Sequence, residues 1–379
     1  MLLMKKQDKM KKLKVIISGG GTGGHIFPAI SIANALKELI PETQILFVGA
    51  EGKMEMEKVP AAGYEIIGLP VAGFQRKVTL RNLSFPFKLM ASMMKARSVV
   101  KEFKPDVAVG VGGYASGPVL RVASNAGVPT LLQEQNSYPG VTNRILARKA
   151  SKICVAYEDM ERFFEASKIT ITGNPVRSNL LSEVRREDAA LHWGLDPEKK
   201  TILVVGGSLG ARSVNGGIKH GLAQLSDDYQ LIWQTGKFYY DEMKAAVPEF
   251  LNHRVVVKDF ISRMDLAFAM ADVVVSRAGA SSISELSLLA KPCIFVPSPN
   301  VSEDHQTKNA MALVNKQAAI LINDSNVNSL IGKVSDLLAN EGQCKLLSEN
   351  IKQFAKPNAA MEIANQVIEL AKKMDRCSS

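Results

Sequence analysis

Residues 14–25 read Lys14-Val-Ile-Ile-Ser18 followed by Gly19-Gly-Gly-Thr-Gly-Gly-His25, and residues 201–212 read Thr201-Ile-Leu-Val-Val205 followed by Gly206-Gly-Ser-Leu-Gly-Ala-Arg212. In both, a short apolar strand runs into a glycine turn and then into a helical stretch. That order lets backbone N–H groups and a helix N-terminus face a phosphate or another oxyanion. Two such units, nearly half the chain apart, predict an α/β chain with two nucleotide-fold domains facing one central cleft.

The segments around them alternate in the same way. A helical run is predicted from about Pro28 to Leu39, then a strand at Gln44–Val48, a helical run at Met54–Val59, and strands at Val107–Val109, Thr130–Gln133 and Ile153–Val155. After Thr201, strands are predicted near Gln230–Trp233, Val255–Val257, Val273–Val275 and Cys293–Val296. Repeated βαβ units of this kind argue for doubly wound parallel sheets. The stretch from Gly173 to Lys200, with Gly173-Asn-Pro175 and the polar run Ser182–Asp188, is expected to connect the two domains, at residues 1–176 and 177–355. From Ala355 the chain closes in a helix with a polar tail.

With 379 residues, 46% of them hydrophobic, the chain is long enough for two domains that each bury a core. It has no run of 18 or more uninterrupted apolar residues, so no transmembrane helix is expected. The basic start, MLLMKKQDKMKKLK, leads into a strand and a glycine loop rather than the apolar core of a signal peptide, which points to the cytoplasm. Cys154, Cys293, Cys344 and Cys377 are scattered, with neither metal-ligand spacing nor the density of a disulfide scaffold.

The formal net charge of +10 calls for an anionic partner: nucleic acid, a membrane surface or a phosphorylated substrate. Between Gln75 and Lys104 stand eight basic residues (Arg76, Lys77, Arg81, Lys88, Lys95, Arg97, Lys101 and Lys104) and one acidic residue, Glu102. Interleaved with them are Phe74, Leu83, Phe85, Phe87, Leu89, Met90, Met93 and Met94. Leu83, Phe87, Met90 and Met94 share one helical face. A basic amphipathic helix suits an anionic membrane surface. Periodicity alone favours a plainer alternative, in which that stripe is the buried face of a crossover helix. No zinc-finger spacing, RNP-like aromatic motif or homeodomain pattern accompanies the charge, so nucleic acid is the weakest partner.

The first loop departs from a dinucleotide fingerprint. The acidic residue expected at the end of the second strand to hold a ribose is replaced by Val48-Gly-Ala50, with Glu51 arriving late. His25, directly after the glycines, stands at the start of a helix. A neutral imidazole there is a sensible general base, because the positive helix end disfavours its protonated form. The alternative is a histidine that only caps the helix or hydrogen-bonds backbone.

Six motifs occur in order: Gly19–His25; Gly112-Gly-Tyr-Ala-Ser-Gly-Pro118; Glu134-Gln-Asn136 with Thr142-Asn143; Gly173-Asn-Pro-Val-Arg177; Gly206–Ala211; and Ser276-Arg-Ala-Gly-Ala280 through Ser284-Glu285. Together they resemble the MurG family of two-domain GT-B glycosyltransferases, the bacterial enzymes that add N-acetylglucosamine to lipid I to make lipid II. The resemblance runs from about Lys14 to about Leu370. It implies a UDP-N-acetylglucosamine donor, an acceptor hydroxyl at C4 of the N-acetylmuramoyl-pentapeptide on undecaprenyl diphosphate, and transfer with inversion. It also implies a peripheral enzyme on the cytoplasmic face of the inner membrane, with the closing helix, 356–379, packed back on the acceptor-binding N-terminal domain.

The resemblance extends to individual residues. His25 becomes the candidate base, with Thr22, Gly23, Gly24 and Asn136 approaching donor sugar or acceptor. Ser208, the N–H groups of the second glycine loop and Arg177 would meet the charge of the departing diphosphate. The backbone of Phe260-Ile261 would read the uracil edge. Ala280, Ser281, Ser282, Ile283 and Ser284 would offer loop and helix N–H groups, Glu285 would bind the ribose hydroxyls, and Gln306 would contact the sugar. Where the family commonly carries two adjacent glutamines, this chain has Gln306-Thr307. The 112–118 loop would cradle the acceptor diphosphate. The basic segment Phe74–Lys104 would rest on the inner leaflet.

No Asp-x-Asp pair occurs in the chain, so neither a protein-bound metal nor another cofactor is expected. Two other readings stay open on the residues alone: an enzyme of similar architecture acting on UDP-N-acetylglucosamine without a lipid acceptor, such as an epimerase, and a non-catalytic membrane-surface sensor of the nucleotide sugar.

Overall fold

The computed structural model describes residues 12–71, 85–176, 180, 184–207, 209–301 and 304–378. The chain divides into two compact units, Met1–Pro175 with Asn358–Ser379, and Val176–Pro357.

The first unit is built on seven strands: β1 (Lys14–Ser18), β2 (Gln44–Ala50), β3 (Glu65–Leu69), β4 (Val107–Gly110), β5 (Thr130–Glu134), β6 (Lys152–Val155) and β7 (Ile169–Ile171). All pair in parallel, in the order β3-β2-β1-β4-β5-β6-β7. Such a sheet is buried on both faces, which is why its strands read as apolar runs rather than as alternation. Val15 and Ile17 point into a core closed by the helices Gly23–Leu39 and Ala359–Ser378. Ile16 points the other way, into a core closed by the helices Phe85–Phe103 and Ser116–Asn125.

The second unit repeats the plan with six parallel strands: β8 (Lys200–Val205), β9 (Tyr229–Gln234), β10 (Val255–Lys258), β11 (Ala271–Ser276), β12 (Cys293–Phe295) and β13 (Ile320–Leu321), in the order β10-β9-β8-β11-β12-β13. Strand order reverses between β1 and β4 in one sheet and between β8 and β11 in the other. At such a switch point successive loops diverge at the carboxyl ends of the strands and leave a crevice for a ligand. The glycine loops that begin at Gly19 and Gly206 follow β1 and β8.

Three expectations change. The helix after the first loop begins at Gly23 rather than near Pro28, with Pro28 inside it. The presumed connection 173–200 is largely structured. Residues Arg186–Trp193 form a helix whose Ala189, Ala190 and Trp193 are buried in the core of the second unit. Arg186 is pinned there by Asp272 at 2.9 Å and by the carbonyls of Pro197, Lys199 and Met270. Its polar letters concealed one apolar face.

The third change concerns the basic helix Phe85–Phe103. Its buried face is Ser92, Ala96, Val99 and Val100. Phe87, Met90 and Met94 point outward, 74%, 59% and 62% exposed, beside the exposed Lys88, Lys95 and Arg97. The stripe is therefore not the buried face that periodicity favoured. Periodicity shows which residues share a side, and small side chains on the opposite side let the helix lie close to the sheet. Phe74, Arg76, Lys77, Arg81 and Leu83, counted in the same segment, lie outside the described residues.

Candidate active site

At the switch point of the first sheet, two glycine loops meet backbone to backbone. A Cβ on Gly113 (φ +88°) would stand 2.4 Å from the carbonyl oxygen of Gly20, so only glycine permits that approach. His25 sits between them. Its Nδ1 lies 2.9 Å from the Gly20 carbonyl oxygen and 3.4 Å from the Thr22 hydroxyl, and its ring packs so closely on Gly112 that a Cβ there would fall 2.9 Å from Nε2. A carbonyl only accepts, so the short contact assigns the proton to Nδ1 and the lone pair to Nε2. That is the tautomer a general base needs. Thr22 is the N-cap of the helix without donating its side chain as a cap, and Gly23 and Gly24 form its first turn, which has no acidic residue.

Under the second of these loops lies a buried polar network at the end of β5. Glu134, 2% exposed, accepts from the Asn136 N–H (3.0 Å), the Asn136 carboxamide (3.2 Å), the Gly140 N–H (3.2 Å) and the Asn143 carboxamide (2.8 Å). Burial pushes the Glu134 carboxyl above its ordinary range, and the four donors pull it back. Gln133 donates to Asn174 (2.9 Å), Asn174 to the Gln135 carbonyl (3.0 Å), and Gln135 to both Gln133 and the Val111 carbonyl, the latter at 2.7 Å. Asn136, expected beside sugar or acceptor, thus has its amide turned toward Glu134. Glu51, the late acid, follows β2 and pairs at the surface with Lys95 at 2.8 Å.

In the second unit the loop 206–211 packs on the turn after β9. A Cβ on Gly210 (φ +76°) would lie 1.9 Å from the Thr235 carbonyl oxygen. Gln234 bridges the two crevice loops, donating to the Gly207 carbonyl at 3.0 Å and accepting from the Ile261 N–H at 2.9 Å. The Ile261 side chain is core, and its N–H is engaged by Gln234.

The helix Ala280–Leu288 starts at the other side of the switch point. Its N-cap, Gly279, offers no side-chain acceptor and its first turn holds no acid, so its leading N–H groups suit an anion. The Ser281 hydroxyl is buried there with no hydrogen-bond partner among the described residues. Ser284 donates to the Ala280 carbonyl at 3.0 Å, Ser282 lies against Gly279, and Ala280 and Ile283 are core. Glu285 is 9% exposed, a largely buried carboxylate rather than a surface one. Gln306 accepts the Ser298 N–H at 2.8 Å, which orients its carboxamide nitrogen away, and Thr307 turns back to Asp304 at 2.7 Å. Arg177 and Ser208 lie outside the described residues.

Sequence reasoning missed Glu55, Gln135, Gln234 and Arg277. Arg277 stands inside a quoted motif, but its work is local. It pairs with Asp324 at 2.6 Å and donates to Ser213 and to the carbonyls of Val296 and Pro297. Apart from the Gln135–Gln133 contact, their partners are backbone groups or side chains far along the chain, and no spacing signals them.

Residues 15–155 match the glycosyltransferase family 28 N-terminal domain, and residues 201–367 match the corresponding C-terminal domain. A Bacteroides fragilis protein named UDP-N-acetylglucosamine--N-acetylmuramyl-(pentapeptide) pyrophosphoryl-undecaprenol N-acetylglucosamine transferase is 58% identical over 375 residues, spanning 97% of this chain and 98% of its own. The chain belongs to this transferase family. Among solved structures, MurG of Acinetobacter baumannii superposes with a TM-score of 0.75 at 27% identity, over 95% of this chain and all of its own. The UDP-GlcNAc 2-epimerase of Neisseria meningitidis reaches a TM-score of 0.68 at 12% identity, over 95% of this chain and all of its own, a likeness of fold alone. Two parallel Rossmann-like sheets are thus the transferase's GT-B architecture. Among the described residues no helix is long and apolar enough to cross a membrane, and no three His, Cys, Asp or Glu side chains are grouped to hold a metal ion.

Proposed function

We propose that this chain transfers N-acetylglucosamine from UDP-N-acetylglucosamine to the C4 hydroxyl of the N-acetylmuramoyl-pentapeptide of lipid I, with inversion, making lipid II for peptidoglycan. The observation that carries the reading is identity of 58% to a transferase so named, across nearly the whole of both chains. An epimerase of the same fold has only the architecture in its favour.

The chemistry is a single displacement. Nε2 of His25 takes the proton of the C4 hydroxyl as its oxygen bonds to the anomeric carbon. The bond from that carbon to the diphosphate oxygen breaks, and the electron pair leaves with UDP. The Nδ1–H tautomer held by Gly20 supports the first half of that step. The second half belongs to the donor site. The first turn of the helix Ala280–Leu288, with the buried Ser281 hydroxyl, faces the nucleotide phosphates. Ser208 and Arg177 help to meet the negative charge of the departing diphosphate, Glu285 holds the ribose, the Ile261 carbonyl accepts from the uracil N–H, and Gln306 meets the sugar. Thr22, Gly23, Gly24 and Asn136 line the acceptor side, and the loop after β4 receives the acceptor diphosphate. The first unit is the acceptor domain and the second the donor domain.

The enzyme works at the inner leaflet of the cytoplasmic membrane. Outward-facing Phe87, Met90 and Met94 beside Lys88 and Arg97 support that placement, since apolar side chains ringed by cations suit an anionic bilayer surface.

The test is incubation of the full chain with UDP-N-acetylglucosamine labelled in the sugar and a short-chain lipid I analogue. A lipid-linked disaccharide with a β-glycosidic bond is expected. An α bond contradicts the single displacement, and epimerised or hydrolysed donor without lipid product overturns the transferase reading.

A further inference from the structure

Glu55 belongs to none of the six motifs and takes no part in the transfer step above. Yet it is fully buried at the start of the helix Glu55–Ala61, and both of its carboxyl oxygens are engaged by backbone donors. Oε1 accepts the Ala50 N–H at 3.0 Å, and Oε2 accepts the Gly21 N–H at 2.9 Å. The Gly21 N–H belongs to the same peptide group as the Gly20 carbonyl, the acceptor of His25 Nδ1–H. A trans peptide holds its N–H and C=O on opposite sides of one rigid plane. Carboxylate, peptide and imidazole therefore form one continuous chain of hydrogen bonds.

We propose that Glu55 is a positioning residue for the proton transfer, acting on His25 through the 20–21 peptide. A carboxylate drawing on the N–H of an amide polarises the whole group and makes its carbonyl a stronger acceptor. The stronger acceptor fixes the Nδ1–H tautomer and stabilises the imidazolium formed when Nε2 takes the substrate proton, as a second partner on the far nitrogen of a histidine does elsewhere. The peptide is clamped from both sides. A Cβ on Gly20 would stand 2.1 Å from Glu55 Oε1, and one on Gly113 would stand 2.4 Å from the Gly20 oxygen. Two glycines of the loop motifs are thus required by this clamp, whatever anion the loops receive.

Other ionisable groups on the packed segments are less directly placed. Tyr114 lies on the loop after β4, and Glu134 lies beneath that loop, linked to it through Gln135. Glu51 is paired with Lys95 at the surface, and Lys37 and Glu38 on the histidine's own helix are about three turns away.

The proposal rests on His25 as the base, and the experiment separates the two claims. Imidazole ¹⁵N spectra of the full chain, with His25 assigned by its loss in His25→Gln, are recorded against pH for wild type and Glu55→Gln. The wild type is expected to show the Nδ1–H tautomer. Glu55→Gln is expected to lower the His25 pKa, move the acid limb of the kcat profile in the same direction, and reduce plateau kcat on the order of tenfold, with UDP affinity unchanged. Glu55→Asp, one methylene short of Gly21, serves the same comparison if Glu55→Gln does not fold. Identical His25 titration in wild type and variant overturns the relay, and an Nε2–H tautomer in the wild type overturns it with no variant needed. If His25→Ala leaves transfer intact the base assignment fails, while these spectra still report whether the relay exists.

Discussion

The carboxamide of Gln135 donates to the carbonyl oxygen of Val111 at 2.7 Å, and so joins the polar network at the end of β5 to the loop that packs on His25. Both residues are buried. Gln135→Leu leaves that carbonyl without its donor, at a cost of about 1–3 kcal/mol, measurable by urea denaturation. It also loosens the Gly112 peptide against the imidazole, so kcat is expected to fall with the donor KM unchanged. Lost stability with kcat intact would confine the network to scaffolding.

Gly210 and Gly216 lie in the same loop-helix unit and have opposite expectations. Alanine at Gly210 meets the Thr235 carbonyl and a left-handed φ, a strain of roughly 1–3 kcal/mol or more. Gly216 lies inside the helix Arg212–Gly221 with open space at its Cβ position, so Gly216→Ala is expected to stabilise by about 0.5–1 kcal/mol. Denaturation midpoints of the two variants check the pair.

The buried strands were legible because a parallel sheet covered on both faces writes each strand as an unbroken apolar run, as in Ile202–Val205. Edge strands other than β10 were not. Glu65-Ile-Ile-Gly-Leu69 is fully buried only at its last two residues, Ile169–Ile171 is short, and β13 has only two residues. At the candidate site, glycines announced the loops and the histidine after them. Glu55 was invisible because its partner is a backbone amide 34 residues away, which no side-chain pattern records. The Phe87, Met90 and Met94 stripe showed a shared face but carried no sign of which way that face turns.

Because those three side chains are exposed, replacing them by serine should leave thermal stability within about 0.5 kcal/mol of the parent. Binding to vesicles rich in anionic lipid is expected to be lost, with transfer to a water-soluble acceptor analogue retained. Undiminished cosedimentation of the triple variant would remove this helix from the membrane contact.

Burial raises the Cys154 thiol to about 12 and the Cys293 thiol further still. Nearly all of each is then protonated at pH 8, and the thiolate is the reactive form. A thiol reagent at that pH should leave both unmodified in the native chain and label them once urea unfolds it, as peptide mass mapping would read. Because these folded values are raised, any stability linked to these thiols is fully present below the ordinary thiol pKa of about 8.5 and is lost as pH climbs from there through the folded values.

The most direct measurement compares wild type with His25→Ala for transfer of labelled N-acetylglucosamine to the lipid I analogue, with UDP affinity measured alongside. Loss of the base is expected to reduce kcat by about 10²–10⁴-fold while UDP binds as before. A folded, UDP-binding His25→Ala variant that transfers at the wild-type rate would contradict the account.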